Sequence, residues 1–457
     1  MKVCALIALE FLAATSCHAQ LTLEQAVSQA TARYPAVQAS LERVSAAAAG
    51  INLARTSYLP KADLLAEVNR ATHNNLFGLM FPQPLPVISS ISGPVLRTNS
   101  LDTVWGSAVG ALVSWEPFDF GLRKANVEIA ESARRRAESE VGVTRLQVGT
   151  AAADAFLTIL AAQQTVVAAR AGVERARVLD QVVGALVKNE LRPGADGSRA
   201  RAEVALAEIQ LIRAEQSVEE ARAAMGGLLG VAPAQITIEA GKLLQLSAEA
   251  AEGQVENLPH GHPLAVAQTA AIDEVKAREK ALDRSYYPKF TLEGTAYARG
   301  TGIQPDGATG GAASGLGPNI QNWGFGMTVT FPLFEIASIR AKREIEVANE
   351  RTESARYRQI RQDIDGQVEK ARAVLSGARR IAAATPATLE AARAGEQQAT
   401  ARYKAGLASI VEAAEAQRLL SQAEIDDSLA RLGIWRAQLG LAAAQGDLTA
   451  YLRTAGK

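Results

Sequence analysis

The stretch that decides the fold is NWGFGMTVTFPLF, at residues 322–334. Its odd-numbered positions are apolar or aromatic, and its even-numbered positions up to Thr330 are small or polar. Side chains of a β-strand alternate between two faces, and a tilted strand needs about ten residues to cross a bilayer. The pattern therefore predicts a membrane-spanning strand, although a strand of a soluble β-sandwich shows the same alternation.

A second copy of this pattern lies 216 positions earlier, at residues 105–118. The same shift carries Lys188 onto Lys404, and upstream of the strands a shift of 228 carries Pro60 onto Pro288. Agreement at fixed spacing over most of the chain indicates a tandem duplication. The first copy contains a 12-residue longer insertion (228 minus 216) between its two strands.

Composition describes a large folded protein without a charge bias. The chain has 457 residues, 48 acidic and 48 basic side chains, and 48% hydrophobic residues. We therefore expect no nucleic-acid partner. Aromatic residues cluster at 58–120 and 286–334. This clustering suits strands whose ends meet a bilayer interface, whereas a soluble two-domain protein would scatter its aromatic residues.

Residues 1–19 have the features of a secretory signal peptide: Lys2, an apolar run and a small-residue cleavage site that ends at Ala19. The alternative is a lipoprotein site at which Cys17 is acylated. Cys4 and Cys17 are the only cysteines, so cleavage after Ala19 would leave a chain without thiols, as suits an oxidising compartment. No other run of eighteen apolar residues occurs, so we expect no membrane-spanning helix.

The elements fall into two structural repeats. In the first, at 20–247, we expect a helix, strands at 59–69 and 105–118, long helices at 119–187 and 198–230, and a linker at 231–247 with a short strand at 235–239. In the second, at 248–446, we expect a helix, strands at 287–299 and 322–334, and long helices at 335–403 and 410–445. Residues 447–457 are expected to form a short C-terminal tail. The apolar piece at 77–85, in the loop between the first two strands, has no assigned role.

Four strands from one chain cannot close a barrel. An open sheet in lipid would leave unsatisfied backbone groups along both edges, and each such group costs several kcal/mol. We therefore predict an oligomer. Two chains would supply eight strands, whose interior side chains fill, and three chains would supply twelve and leave room for a lumen. The small, polar residues on one strand face favour the larger barrel.

The chain resembles the TolC family of outer-membrane efflux proteins. The motifs that carry the resemblance are YLPK at 58–61, YPK at 287–289, FPLF at 331–334 and YKAGL at 403–407, in duplicated order over the whole mature chain. The resemblance implies a mixed α and β membrane protein, with a homotrimeric twelve-stranded β-barrel in the outer membrane and an α-helical barrel that extends into the periplasm. It also implies that a periplasmic adaptor and an inner-membrane pump dock on the helical tips.

The resemblance further implies a gate at the periplasmic entrance, with Tyr403, Asp196, Glu412 and Glu415 at matching positions. Glu412 and Glu415 are three residues apart on one helix face, so a trimer would stack them as two rings of three carboxylates. Such rings attract cations. The alternative is that both are ordinary solvated helix residues. The family's basic latch residue would fall at Ala408, so the gate is held differently here.

Two further sets of site residues follow from the same resemblance. The predicted adaptor-docking tip comprises Gly406 and Leu407, with Leu191 in the first copy, where Glu190 replaces the glycine. The predicted membrane-interface residues, expected to contact outer-membrane lipid, are Trp105, Trp115, Trp323, Phe325 and Phe331.

We expect no catalytic residue, cofactor or metal site. His260 and His262 form a His-x-His pair, but no third ligand at suitable spacing follows them, so a solvated turn is favoured over a metal site. We therefore predict an export duct rather than an enzyme. The alternatives are a periplasmic coiled-coil adaptor, which would share the long hairpins without the aromatic strands, and a secreted enzyme, which would require a convergent polar site.

Overall fold

The computed structural model describes residues 20–74, 94–95, 100–245 and 261–456. These residues form eight α-helices and four strands: α1 Leu23–Arg33, α2 Pro35–Thr56, β1 Lys61–Thr72, β2 Thr103–Phe118, α3 Leu122–Lys188, α4 Gly194–Leu229, α5 Pro263–Arg284, β3 Lys289–Thr301, β4 Ile320–Thr330, α6 Ile336–Lys404, α7 Ile410–Gln445 and α8 Thr449–Gly456. The predicted class, long helices with four strands, is confirmed. The predictions for the signal peptide, Cys17, His260 and residues 77–85 lie outside the described residues.

The chain divides into two compact units. The sheet unit comprises Ser45–Arg135 and Ala270–Ser354, and the helical unit comprises Met1–Val44, Arg136–Thr269 and Ala355–Lys457. All four strands belong to the sheet unit.

The sheet unit contains one antiparallel sheet in the order β1-β2-β3-β4. One row across it contains Lys61, Ser114, Glu293 and Gly326, each directly opposite the next. Directly paired residues point to the same face, so the register defines the composition of each face. The row above therefore belongs to a polar face, which also carries Asp63, Glu67, Thr295, Arg299, Asn322 and Thr328.

The opposite face of the sheet is apolar and exposed. A row across it contains Leu64, Ala111, Ala296 and Trp323. Its large exposed side chains are Leu64, Val68, Val109, Val113, Trp115, Trp323, Phe325, Met327 and Val329. Leu64 is 89% exposed and Trp323 is 84% exposed, values that are unusual for large apolar side chains of a folded unit in water. The alternation predicted for residues 322–330 and 61–69 is therefore confirmed.

Prolines move the strand ends from their predicted positions. β1 begins at Lys61 and β3 at Lys289, each immediately after a proline, because proline cannot donate to the sheet ladder. β4 ends at Thr330, and the predicted end at residue 334 is wrong because Pro332 interrupts pairing. Phe331 therefore lies beyond the strand.

The helical unit has its own apolar core. Its largest cluster brings together Phe156 and Leu157 of α3, Met225 of α4, Trp435 of α7 and Tyr451 of α8. By length and composition alone, α3 is long and apolar enough to be a candidate membrane span, which the sequence analysis did not expect. Phe156 and Leu157 are almost fully buried in this core, which accounts for apolar residues in a helix of a folded unit.

The C-terminal residues are the clearest correction in this unit. Instead of a tail, Thr449–Gly456 form α8, whose Tyr451 packs edge-on against Trp435 at 6.5 Å between ring centroids. The Asp447 carboxylate accepts a hydrogen bond from the backbone N–H of Thr449 at 2.8 Å and so caps the first turn.

Two other predicted boundaries of the helical unit are wrong. Residues 235–239 form no strand, because Pro233–Gln235 adopt a 3₁₀ turn and only a single parallel bridge joins Ile238 to Leu21. α4 begins at Gly194 rather than at residue 198, since Pro193 has the extended conformation of an N-cap and the helix follows it directly.

Candidate functional site

The two helical hairpins end in turns of the same construction. Glu190, between α3 and α4, has φ of 58°, and Gly406, between α6 and α7, has φ of 80°. Glu190 and Gly406 are equivalent positions of the two repeats, because the shift of 216 carries Glu190 onto Gly406. In both turns the next residue, Leu191 or Leu407, donates its backbone N–H five residues back, at 2.9 and 2.8 Å. Both turns are therefore helix ends of the Schellman type, and the first is built with a glutamate where the second has glycine.

Tyr403 connects the two hairpins. Its side chain is fully buried, in a cluster with Leu179, Val183 and Ile410. The phenol donates a hydrogen bond to the Asp196 carboxylate at 3.2 Å. Burial, together with the adjacent Asp196 charge, raises the pKa of the Tyr403 phenol, so the donor stays protonated near neutral pH. The structure thus brings together two of the four predicted gate residues.

Arg192 is the residue that the sequence analysis missed. Its guanidinium donates to the backbone carbonyl of Tyr403 at 2.9 Å and to that of Ala408 at 3.3 Å. It also lies over the Tyr403 ring, 4.7 Å from the centroid. One arginine from the first turn therefore holds both ends of the second turn. The 216 shift pairs the position of Arg192 with that of Ala408.

Glu412 and Glu415 occupy different environments. The Glu412 carboxylate accepts from the backbone N–H of Ser409 at 3.3 Å, while the Ser409 hydroxyl accepts from the Glu412 N–H, which makes a capping box at the start of α7. The Glu415 side chain is 74% exposed, with Arg418 at 3.7 Å. The two carboxylates belong to the same helix, but Glu412 also has a local structural role.

Ion pairs join the hairpins above the tips. Arg418 of α7 binds Glu203 of α4, with its closest nitrogen 2.5 Å from the carboxylate. Arg175 of α3 binds Glu424 of α7 at 2.8 Å, and the pair is about four-fifths buried. Partly buried Arg–carboxylate pairs with two contacts fix geometry better than exposed pairs. They hold α3, α4 and α7 in register behind the Tyr403 site.

The predicted docking residues lie at the outer ends of the turns. Leu191 is 68% exposed and Leu407 is 71% exposed. Gly406 has open space around it apart from the end of the Arg192 side chain. Each hairpin therefore presents one leucine to its surroundings.

Four of the five predicted interface aromatics share the apolar face of the sheet. Trp105 and Trp115 belong to β2, and Trp323 and Phe325 belong to β4, all at odd-numbered positions that the register assigns to this face. Trp115 donates its indole N–H to the backbone carbonyl of Tyr58 at 3.1 Å. Phe331, beyond the end of β4, is also exposed.

The prediction of a solvated turn at His262 is wrong. His262 is 3% exposed, accepts a hydrogen bond at Nδ1 from the Leu264 N–H at 3.2 Å, and bonds to the Ala443 backbone. Burial lowers the pKa of its imidazole, so the neutral form predominates at neutral pH. Its role is to cap α5 against the end of α7. Within the described ranges no group of three His, Cys, Asp or Glu side chains could hold a metal.

Comparison with known proteins places these features in a family. The family model described as outer membrane efflux protein matches residues 26–231 and 261–447. The cobalt-zinc-cadmium resistance protein CzcC of Cupriavidus metallidurans is 27% identical over 203 residues, which are 44% of this chain and 49% of CzcC. The match thus spans about half the length of that relative.

Two further similar proteins match this chain over most of its length. Nodulation protein T of Rhizobium leguminosarum bv. trifolii is 23% identical over 417 residues, 86% of this chain and 78% of that protein. The solved structure of the outer membrane protein VceC from Vibrio cholerae superposes with a TM-score of 0.69 at 16% identity, over 93% of this chain and 96% of VceC. At this identity the likeness concerns the fold. Because the family model matches most of the chain, the chain belongs to the outer membrane efflux protein family.

Proposed function

We propose that this chain is the outer-membrane exit duct of a tripartite efflux or type I secretion system, and that it passively conducts substrates from an inner-membrane pump to the exterior. The observation that carries the proposal is the sheet, which has an exposed apolar face, a polar opposite face and two outer edges. Such a sheet suits a wall between lipid and water. We assign it no catalytic residue, cofactor or resident metal.

The outer edges of the sheet support assembly into a homotrimer. β1 pairs only with β2, and β4 pairs only with β3, within the described part of the chain. In lipid these edges would leave their backbone groups unsatisfied, and closure with further copies removes that cost. Three copies supply twelve strands, enough for a water-filled lumen lined by the polar face. The apolar face, with Trp323 and Phe325, then contacts outer-membrane lipid.

The hairpin tips are the proposed periplasmic end. The exposed Leu191 and Leu407 suit an adaptor that recognises an apolar side chain on each hairpin. Tyr403, Asp196 and Arg192 then hold the entrance closed by joining the two turns of one chain. Opening is an iris-like movement of the hairpins, in which contacts of this kind break while the helices themselves persist.

The mass of the detergent-extracted outer-membrane complex, measured by light scattering with correction for detergent, tests the proposal. We expect three chains per complex, because fewer strands leave either open edges or a filled barrel. A single chain, or a chain found in the soluble periplasmic fraction, would contradict the duct. That outcome would favour the alternative, a periplasmic coiled-coil adaptor.

The acidic residues of α7 give a second test. We expect Glu415→Ala to lower the cation selectivity of the duct in planar bilayers by roughly twofold or more, because a ring of three charges that attracts cations to a narrow entrance is removed. Glu412→Gln neutralises the second ring while glutamine preserves the capping box.

The matched control for this test is Glu220→Gln on α4, whose carboxylate accepts a hydrogen bond from the neighbouring Gln216 side chain at 2.7 Å. This change removes the same charge away from the tips. If the control lowers selectivity as much as Glu415→Ala does, the effect belongs to the overall charge of the duct and the carboxylate ring is not supported.

A further inference from the structure

Within the described sheet of a single chain, strands of different repeats pair at one place, between β2 and β3. This pairing is called the joint between the repeats. β2 is the second strand of the first repeat and β3 is the first strand of the second repeat, and they pair with Leu112 opposite Thr295 and Gly110 opposite Tyr297. β4 and β1 are the corresponding strands on the outer edges. If copies of the chain continue the sheet, β4 of one copy meets β1 of the next. The observed β2–β3 joint then provides a template for the pairing of β4 with β1 between two copies.

Equivalent residues of the two hairpins, β1–β2 and β3–β4, pair in the same way. In the first hairpin Lys61 lies opposite Ser114. Shifts of 228 and 216 carry this pair onto Lys289 and Thr330, which lie opposite each other in the second hairpin. Every pair of the ladder obeys the same relation at the positions that both hairpins contain. The two repeats therefore share one strand register.

We infer that β4 pairs with β1 of a second copy in the register that this relation generates from the β2–β3 joint. Leu112 opposite Thr295 becomes Thr328 opposite Glu67 of the second copy. Ala111 opposite Ala296 becomes Met327 opposite Val68. This inference rests on the proposed homotrimer, and it specifies which residues meet where two copies join.

The resulting pairs match in chemistry and in size. On the apolar face Met327 meets Val68, and both are more than 60% exposed in the single chain. An added Cβ at Gly110 would overlap the Tyr297 side chain directly opposite, so the first joint requires a glycine there. The shift carries Gly110 onto Gly326, which again places a glycine at the joint. A slip of one residue would instead turn the apolar side chains of β1 toward the polar face.

The residues just beyond the strands extend the same joint. Phe118 contacts Phe290, with ring centroids 6.1 Å apart, and Phe120 stacks on Tyr287 at 5.2 Å. The shifts carry Phe118 onto Phe334, which is 100% exposed in the single chain.

The partner positions for this extension come from the same shifts. Phe290 corresponds to Ala62 and Tyr287 to Leu59, so Phe334 covers Ala62 of the second copy and Ile336 packs against its Leu59. Both Leu59 and Ile336 are exposed in the single chain. Apolar contacts between the two copies therefore continue beyond the ends of the paired strands.

Disulfide trapping in the full-length chain tests the register. Thr328→Cys with Glu67→Cys should yield covalent dimers and trimers on a non-reducing gel after mild oxidation. Directly opposite Cβ atoms lie about 4.5–5.5 Å apart, near the span of a disulfide, whereas neighbours two residues along lie about 7–8 Å apart. Thr328→Cys with Leu65→Cys, or with Asn69→Cys, should therefore give about tenfold less product.

Three controls accompany the pairs. The unmodified chain and each single variant set the background, and Leu112→Cys with Thr295→Cys tests the equivalent pair inside one chain. A shifted pair that links better than Thr328 with Glu67, or a three-chain complex that links at none of the pairs, overturns the register while the duct stands. A single-chain mass by light scattering overturns both the register and the proposed function.

Discussion

Changing Arg192 to alanine is expected to raise the open fraction of the duct in planar-bilayer recordings. The change removes two hydrogen bonds from a charged donor to the Tyr403 and Ala408 carbonyls, and the stacking on the Tyr403 ring. Hydrogen bonds of charged groups contribute about 1.5–3 kcal/mol each, less where water competes. Loss of about 1.4–2.7 kcal/mol in one chain alters the closed-to-open ratio by about tenfold to a hundredfold.

Two variants make this result specific. Arg201→Ala removes the same charge from α4, where the guanidinium donates to the exposed Ser198 hydroxyl at 3.3 Å. It should leave the recordings unchanged. Arg192→Lys retains the charge but not the planar fork, so it should restore only part of the closure. An open fraction equal in Arg192→Ala and in the parent chain, with Tyr403→Phe raising it, would mean that the phenol alone holds the turn.

Gly446→Ala is expected to destabilise the helical unit by about 2–5 kcal/mol, for two separate reasons. Gly446 ends α7 with φ of 84°, where a side chain costs about 1–2 kcal/mol. In addition, an added Cβ would lie 2.7 Å from both His262 Cδ2 and Pro263 Cδ, and crowding of this kind costs about 1–3 kcal/mol. The measurement is the midpoint of thermal unfolding followed by helical circular dichroism.

The chain provides a matched control for this change. Gly230 ends α4 with φ of 69°, and an added Cβ there meets nothing within 4 Å. The 216 shift pairs it with Gly446. Gly230→Ala should therefore show the conformational cost alone, and the difference between the two midpoints measures the contact with His262. If Gly230→Ala lowers the midpoint as much as Gly446→Ala does, the crowding contributes nothing.

The sheet could be predicted from the sequence because strand alternation is a local signal. Residues 322–330 alternate so strictly that both faces could be assigned, and the second copy confirmed the spacing. The strand ends were less accurate because one proline decides them, as at Pro332. Tyr403 and Asp196 came from the resemblance, and their contact joins side chains 207 positions apart, which no local pattern contains.

Features that depend on long-range packing could not be predicted. Arg192 acts on carbonyls more than two hundred positions away, and the resemblance places the family's basic residue in the second copy, where Ala408 stands. His262 was expected in solvent because its burial results from packing against the end of α7, a contact that no local sequence pattern shows. α8 spans only eight residues, too few for a helical period to stand out, although the spacing of Leu448, Tyr451, Leu452 and Ala455 is that of one buried stripe.

The central position of the β2–β3 pair in the sheet has a kinetic consequence. That pair forms within one polypeptide, so its rate does not depend on how much protein is made. Closure by further copies is a meeting of separate molecules, and its rate depends on their concentration. At low synthesis rates we therefore expect single chains with a complete four-stranded sheet to persist before they assemble. Their sheet edges are exposed during this time, so the unassembled chain is the form most vulnerable to proteases and aggregation.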